Sequence, residues 1–79
     1  MDNSIPTGNI ADVDTLGAAI RRRRKALGLT QADAAMVCGV GTRFLAELER
    51  GKPTAQIGKT LDILAGLGLE LSLRPRERA

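Results

Sequence analysis

Glycine stops the helical pattern of this chain four times, at Gly28, at Gly39, at Gly51 and at the Gly66 and Gly68 pair, which leaves room only for short helices. The first run places Leu16, Ala19, Ile20, Arg23 and Leu27 at helical spacing, with Asp14 and Thr15 as suitable N-cap residues. Thr30 opens the second as a side-chain cap, and Ala34, Ala35 and Cys38 give it a narrow inward face before Gly39. Gly39, Val40 and Gly41 allow only a tight turn before Leu45 and Leu48 resume the period, which ends at Gly51, Lys52 and Pro53. Thr54 is a suitable cap for the last helix, in which Ile57, Leu61 and Leu64 line one side and Ile63 and Leu67 widen the stripe.

From Leu67 the period changes to two. Leu67, Leu69, Leu71 and Leu73 fall on one face, and Gly68, Glu70, Ser72 and Arg74 on the other, as in a strand. A lone strand with a buried leucine face leaves backbone donors and acceptors unpaired, so its simplest partner is the same strand of a second copy, antiparallel across a two-fold axis. The alternative is a fraying helical tail. The expected division is therefore a flexible arm over residues 1–11, a helical domain over 12–67, a dimerisation strand over 68–74 with Leu69, Leu71 and Leu73 facing inward, and a polar tail over 75–79. Seventy-nine residues make one domain at most. A chain of this size hides only about 60% of its unfolded surface, which favours an oligomer. Apolar residues are 43% of the chain but Phe44 is the single aromatic, so the core is drawn from Leu, Ile, Val, Ala and Met. The expected fold class is mainly α, with four to five helices and one short C-terminal strand shared across a homodimer.

Charge narrows the partners. Over residues 20–60, nine basic residues stand against Asp33, Glu47 and Glu49, an excess of six within a chain of net charge +3. A polyanion is the natural partner of such a surface, against the alternative that the cations merely solvate a helix face. The Arg21 to Lys25 run winds round a helix and presents only part of its charge in any direction, unlike a localisation signal. One cysteine makes no internal disulfide, and residues 1–8 lack a basic leader with an apolar stretch, so a soluble protein of the reducing cytoplasm is expected. No apolar stretch approaches the roughly 20 residues that cross a bilayer, so no membrane partner is expected.

Enzyme classes are poorly served. The chain has no histidine, its carboxylates do not converge in the linear pattern, and Cys38 sits on an inward helical face. Gly51, Lys52, Pro53 and Thr54 lack the upstream glycine and preceding strand of a phosphate loop. No enzyme activity, metal or cofactor is expected.

A short helix, a tight glycine turn and a second short helix form the layout that places a recognition helix in the DNA major groove. Here Leu29-Thr30-Gln31-Ala32-Asp33, then Gly39-Val40, Leu45 and Leu48-Glu49-Arg50-Gly51-Lys52, closely resemble the phage-repressor and Cro (Xre) type of helix-turn-helix protein, over about residues 16–67. The resemblance implies that Gln31 meets a DNA phosphate, as does Lys52 just beyond the recognition helix. It also implies that Gly41, Thr42, Arg43 and Glu47 are the base-reading positions. Arg43 has the best chemistry among them, a planar fork that donates twice to guanine, while Thr42 suits a thymine methyl or a phosphate. Arg24 and Glu49 correspond to an ion pair that bridges the first helix to the end of the recognition helix.

Four positions depart from the pattern. Glu47 repels phosphate unless it accepts from cytosine or pairs with Arg43 one turn away, and Gly41 stands where a polar cap is usual. Phe44 is larger than the usual residue. Arg23 replaces an apolar one, its stem suited to lie along the core while its head reaches solvent. Within the group, Leu69-Glu70-Leu71-Ser72-Leu73 after the last helix looks like the HipB-type antitoxins. That narrower resemblance implies a homodimer joined through a small sheet, an inverted-repeat operator in the protein's own promoter, and a kinase-like HipA-type toxin as partner. The alternatives are a free-standing repressor of the same fold and a protein-interaction adaptor that has lost DNA binding.

Overall fold

The computed structural model describes residues 9–76, so the first eight residues of the expected arm and the last three of the tail lie outside it. Four helices follow in order: α1 (Val13–Ala26), α2 (Gln31–Cys38), α3 (Thr42–Glu49) and α4 (Ile57–Gly66). All four end the same way. Gly28, Gly39, Gly51 and Gly68 have φ between 74° and 87°, a region in which only glycine avoids a side-chain clash. Each donates its N–H to the carbonyl three residues back, and the following residue donates to the carbonyl five back, as in Leu29 to Arg24 and Leu69 to Leu64.

The helix starts differ from one another. Asp12, rather than Asp14 or Thr15, caps α1. Its carboxylate accepts from Thr15 N at 2.8 Å while Thr15 Oγ1 accepts from Asp12 N at 3.3 Å. This reciprocal box satisfies two orphan donors where a cap at Asp14 would satisfy one. Backbone and hydroxyl donation from Thr15 holds the Asp12 carboxyl below its ordinary value. Thr30 caps α2, its hydroxyl accepting from Asp33 N at 3.0 Å. Gly41 opens α3 with no side-chain cap. Gln56, not Thr54, precedes α4, because Ala55 N donates to Lys52 O and the resulting turn consumes Thr54.

Ile20, Ala34, Ala35, Cys38, Leu45, Leu48, Ile63, Leu64 and Leu67 form the core, with α1 and α2 packed on α3 and α4 packed on α2. The inward face of α1 is Gly17, Ile20 and Arg24, whereas Leu27 is exposed. Gly17 has no room for a Cβ, which would run into the Leu48 carbonyl and come within 2.9 Å of that of Glu49. The α4 stripe is also rotated from the expected one. Thr60, Ile63, Leu64 and Leu67 are buried, while Ile57 and Leu61 face solvent. Thr60 can occupy the inside because its hydroxyl donates to the Gln56 carbonyl at 2.8 Å.

Arg23 is half-buried. Its Nε donates to the Leu67 carbonyl at 2.8 Å, tying α1 to the end of α4. After Gly68 the described residues contain no strand. Leu69 packs against the core, but Leu71 and Leu73 are 55% and 88% exposed. Among the described residues no helix is long and apolar enough to cross a membrane.

Candidate nucleic-acid interface

Helix α3 is two-sided. Leu45, Leu48 and Glu49 are buried, whereas Thr42, Arg43 and Arg50 are exposed and Glu47 lies between. The amphipathic spacing sets that division, and Gly17 lets α1 approach the C-terminal carbonyls of α3. The N-terminal half of α3 and the N-terminus of α2 therefore stand on a support that reaches back to α1.

That support centres on a carboxylate. Arg24 Nε and Nη2 donate to Glu49 Oε2 and Oε1 at 2.7 and 2.9 Å, a two-pronged pair whose side chains are 8% and 2% exposed. Arg24 Nη1 also donates to the Leu29 carbonyl at 2.9 Å, in the link between α1 and α2. Gln31 Nε2 gives Glu49 Oε1 a further hydrogen bond at 3.0 Å, so one carboxylate joins all three helices. Burial pushes the Glu49 carboxyl up, but donation from Arg24 and Gln31 outweighs this and holds it below the ordinary carboxylate value. Donation to Glu49 in turn raises Arg24. Among the described residues no buried side-chain nitrogen or oxygen lacks a partner.

The outward side carries a second cluster. Arg43 Nε donates to Glu47 Oε2 at 3.2 Å, and Lys52 Nζ to Glu47 Oε1 at 3.0 Å. Hydrogen bonds from Lys52 and then from Arg43 hold the Glu47 carboxyl below its ordinary value. Gly41 and Thr42 are exposed at the head of α3, with open space where a Gly41 Cβ would stand. Gln31 is half-buried and spends one of its two amide hydrogens on Glu49, leaving the other free. Phe44 packs against the core, with Lys59 Nζ 5.5 Å from its ring centre. On α1, Ala18, Arg21, Arg22 and Lys25 line an open depression of ≈ 310 Å³ with Glu49.

The structure thus gathers Gly41, Thr42, Arg43, Glu47 and Lys52 on or beside the outer side of α3, and sets Gln31 next to Glu49. Leu69, Leu71 and Leu73 lie beyond α4 and share no contact with this group in the hydrogen-bond and ion-pair network. The Lys52 link to Glu47 and the use of Gln31 as a donor to Glu49 are additions that spacing alone does not reveal. Gly17 is a third. A glycine inside a helical run, disfavoured by about 1 kcal/mol relative to alanine, was its signal. Cys38 is buried and free, its thiol raised by burial and pointing at the Ile63 carbonyl at 3.7 Å.

Two short helices joined at a left-handed glycine, the second buried on one side and polar on the other, define a helix-turn-helix protein. The chain belongs to the family described as "Helix-turn-helix domain", which it matches over residues 15–76. It is 52% identical over 64 residues to an uncharacterized HTH-type transcriptional regulator, y4mF, of Sinorhizobium fredii, covering 80% of this chain and 84% of that one. This places it among the helix-turn-helix transcriptional regulators. Its fold is similar to that of a chain in the structure of the HipA-HipB-O2-O3 complex, with a TM-score of 0.81 at 21% identity over 89% of this chain and 99% of that one. A chain in the HipB-O4 20mer complex gives the same TM-score, identity and coverage.

Proposed function

We propose that this protein is a sequence-specific DNA-binding repressor, and no enzyme, that binds an inverted-repeat operator as a homodimer in the cytoplasm. The observation that carries this function is the pairing of an exposed Thr42 and Arg43 at the head of α3 with the buried Arg24, Glu49 and Gln31 network beneath them. A fixed helix that offers a guanidinium and a hydroxyl to solvent is suited to reading base edges in a major groove. Arg43, Thr42, Gly41 and Glu47 face the bases, while Gln31 and Lys52 meet phosphates and set affinity and its salt dependence.

The dimer is supported by Leu71 and Leu73, two exposed leucines at alternate positions after α4, and by Leu69, which begins the same face inside the core. A second copy pairing over residues 68–74 covers them and supplies the missing ladder. Recognition helices about 34 to 36 Å apart then enter successive major grooves.

The likeness to HipB chains supports a finer assignment, to an antitoxin that represses its own promoter and holds a kinase-like toxin. A free-standing repressor is the second possibility, supported by the 52% identical relative only in that its name is that of an HTH-type transcriptional regulator. A kinase-like reading frame beside the gene decides for the antitoxin.

Fluorescence titration against the protein's own promoter and a scrambled duplex, at two salt concentrations, tests the function. Tight, salt-sensitive binding that prefers the promoter is expected. Equal weak binding to both sequences refutes sequence-specific repression by the protein alone.

A further inference from the structure

Arg43 and Lys52, assigned above to base and phosphate contact, share one carboxylate in the free protein, each taking a different oxygen of Glu47 at 3.2 and 3.0 Å. The Glu47 side chain is only 25% exposed while that of Arg43 is 90% exposed, so the carboxylate is the anchored member and the cations fold back onto it. Stability does not account for an acid on this face, because exposed pairs of this kind contribute about 0 to 1 kcal/mol. The other acid of α3, Glu49, is buried and committed to Arg24 and Gln31. Glu47 thus sits alone among the outward side chains of α3 as an anion on a surface meant for a polyanion.

We infer that Glu47 acts as an internal phosphate mimic, a specificity-determining residue that occupies Arg43 and Lys52 and so weakens binding to random DNA more than binding to the operator; this rests on the DNA-binding function proposed above. Two carboxylate oxygens bridging two cations reproduce the way non-bridging phosphate oxygens engage a guanidinium and an ammonium. A random duplex has to displace the carboxylate and then leaves it facing phosphates with no donor. An operator that presents a cytosine amino group gives the displaced carboxylate a hydrogen bond, while Arg43 moves to a base edge. The cost of displacement is therefore offset only on the right sequence.

Glu47→Gln tests the inference, since it keeps shape and a carbonyl acceptor while removing the charge; Glu47→Ala serves as a second variant. Asp62→Asn on α4 makes the same change in net charge elsewhere. Each freed cation adds about 0.9 to the log–log salt slope per phosphate met. Near 0.1 M salt that corresponds to binding of scrambled DNA tightened by about eight-fold for each cation. We expect this gain and the steeper slope on scrambled DNA, a smaller gain or a loss on the promoter, and no change from Asp62→Asn. Unchanged scrambled-DNA affinity and slope in both Glu47 variants, or equal gains on both duplexes, overturn the inference while leaving the DNA-binding function standing. Wild-type protein that binds neither duplex overturns both.

Discussion

Replacing Glu49 with glutamine preserves the shape of the side chain and removes its charge, leaving the Arg24 guanidinium buried without a counter-ion. The Arg24 and Glu49 side chains are 8% and 2% exposed, so water does little to compensate. Breaking a buried pair from one side costs about 3 to 5 kcal/mol. The lower end applies here, because Arg24 keeps its bond to the Leu29 carbonyl and the new amide still offers one acceptor oxygen. A loss of about 3 kcal/mol is large for a domain whose total is about 5 to 15 kcal/mol, and it lowers Tm by at least about 12 °C. The double variant Arg24→Met with Glu49→Leu removes both charges together and is expected to recover most of that loss, since apolar replacement of a buried pair is often neutral.

Urea unfolding of the wild type, Arg24→Met, Glu49→Leu and their double variant measures the coupling. pH supplies an independent check. The Glu49 carboxyl is held below its ordinary value, so it contributes stability above the unfolded value of about 4.3, and that contribution is lost as pH falls through the lower folded value. Wild-type stability should therefore fall more steeply than that of Glu49→Gln as pH drops below about 4. A single variant that loses less than about 1 kcal/mol, the size of a surface pair, refutes the view that this pair is desolvated.

Three further outcomes are expected. Arg43→Ala should weaken promoter binding by about 1 to 3 kcal/mol with little effect on a scrambled duplex, and equal losses on both would reduce Arg43 to a phosphate contact. Removal of residues 70–79 keeps Leu69 on the core and should yield monomers in sedimentation equilibrium; a persisting dimer sinks the shared strand. Gly17→Ala should lower the melting temperature. The clash of a Cβ with the Leu48 carbonyl costs about 1 to 3 kcal/mol, more than the roughly 1 kcal/mol that alanine returns in helix propensity. An unchanged or raised melting temperature would mean that α1 shifts freely on α3.

Helix count and helix ends were readable because glycine encodes them locally: Gly28, Gly39 and Gly51 each sit where the backbone turns left-handed. Helix starts were less so. Asp12 and Asp14 are both acceptable caps by type, and only the hydroxyl of Thr15 returning to Asp12 decides between them. The inward place of Thr60 and the Arg23 bond to Leu67 escaped the sequence for a related reason. A polar side chain enters the interior when a particular carbonyl awaits it, here that of Gln56 or Leu67, and a carbonyl's position belongs to the fold. The α4 face turned accordingly, exposing Ile57 and Leu61. Arg24 and Glu49 came from resemblance, not from spacing, since residues 25 apart carry no periodic signal. The link from Lys52 to Glu47 spans a helix end, outside the intervals of three and four that pair side chains within a helix.

The repeated glycine ends bear on how quickly the molecule assembles. Each closing turn is made within six consecutive residues, so the limits of each helix are encoded locally. Helices of eight to ten residues, such as α2, α3 and α4, are marginal alone and gain most of their stability on docking, and helical domains with such local contacts fold in microseconds to milliseconds. The Arg23 bond to the Leu67 carbonyl, spanning 44 residues, is the long closure in that sequence of events. It joins the first helix to the segment leading into Leu69, Leu71 and Leu73. For the homodimer proposed above, this closure fixes the direction of the leucine segment only once α1 and α4 have met, which would make association a late and concentration-dependent step.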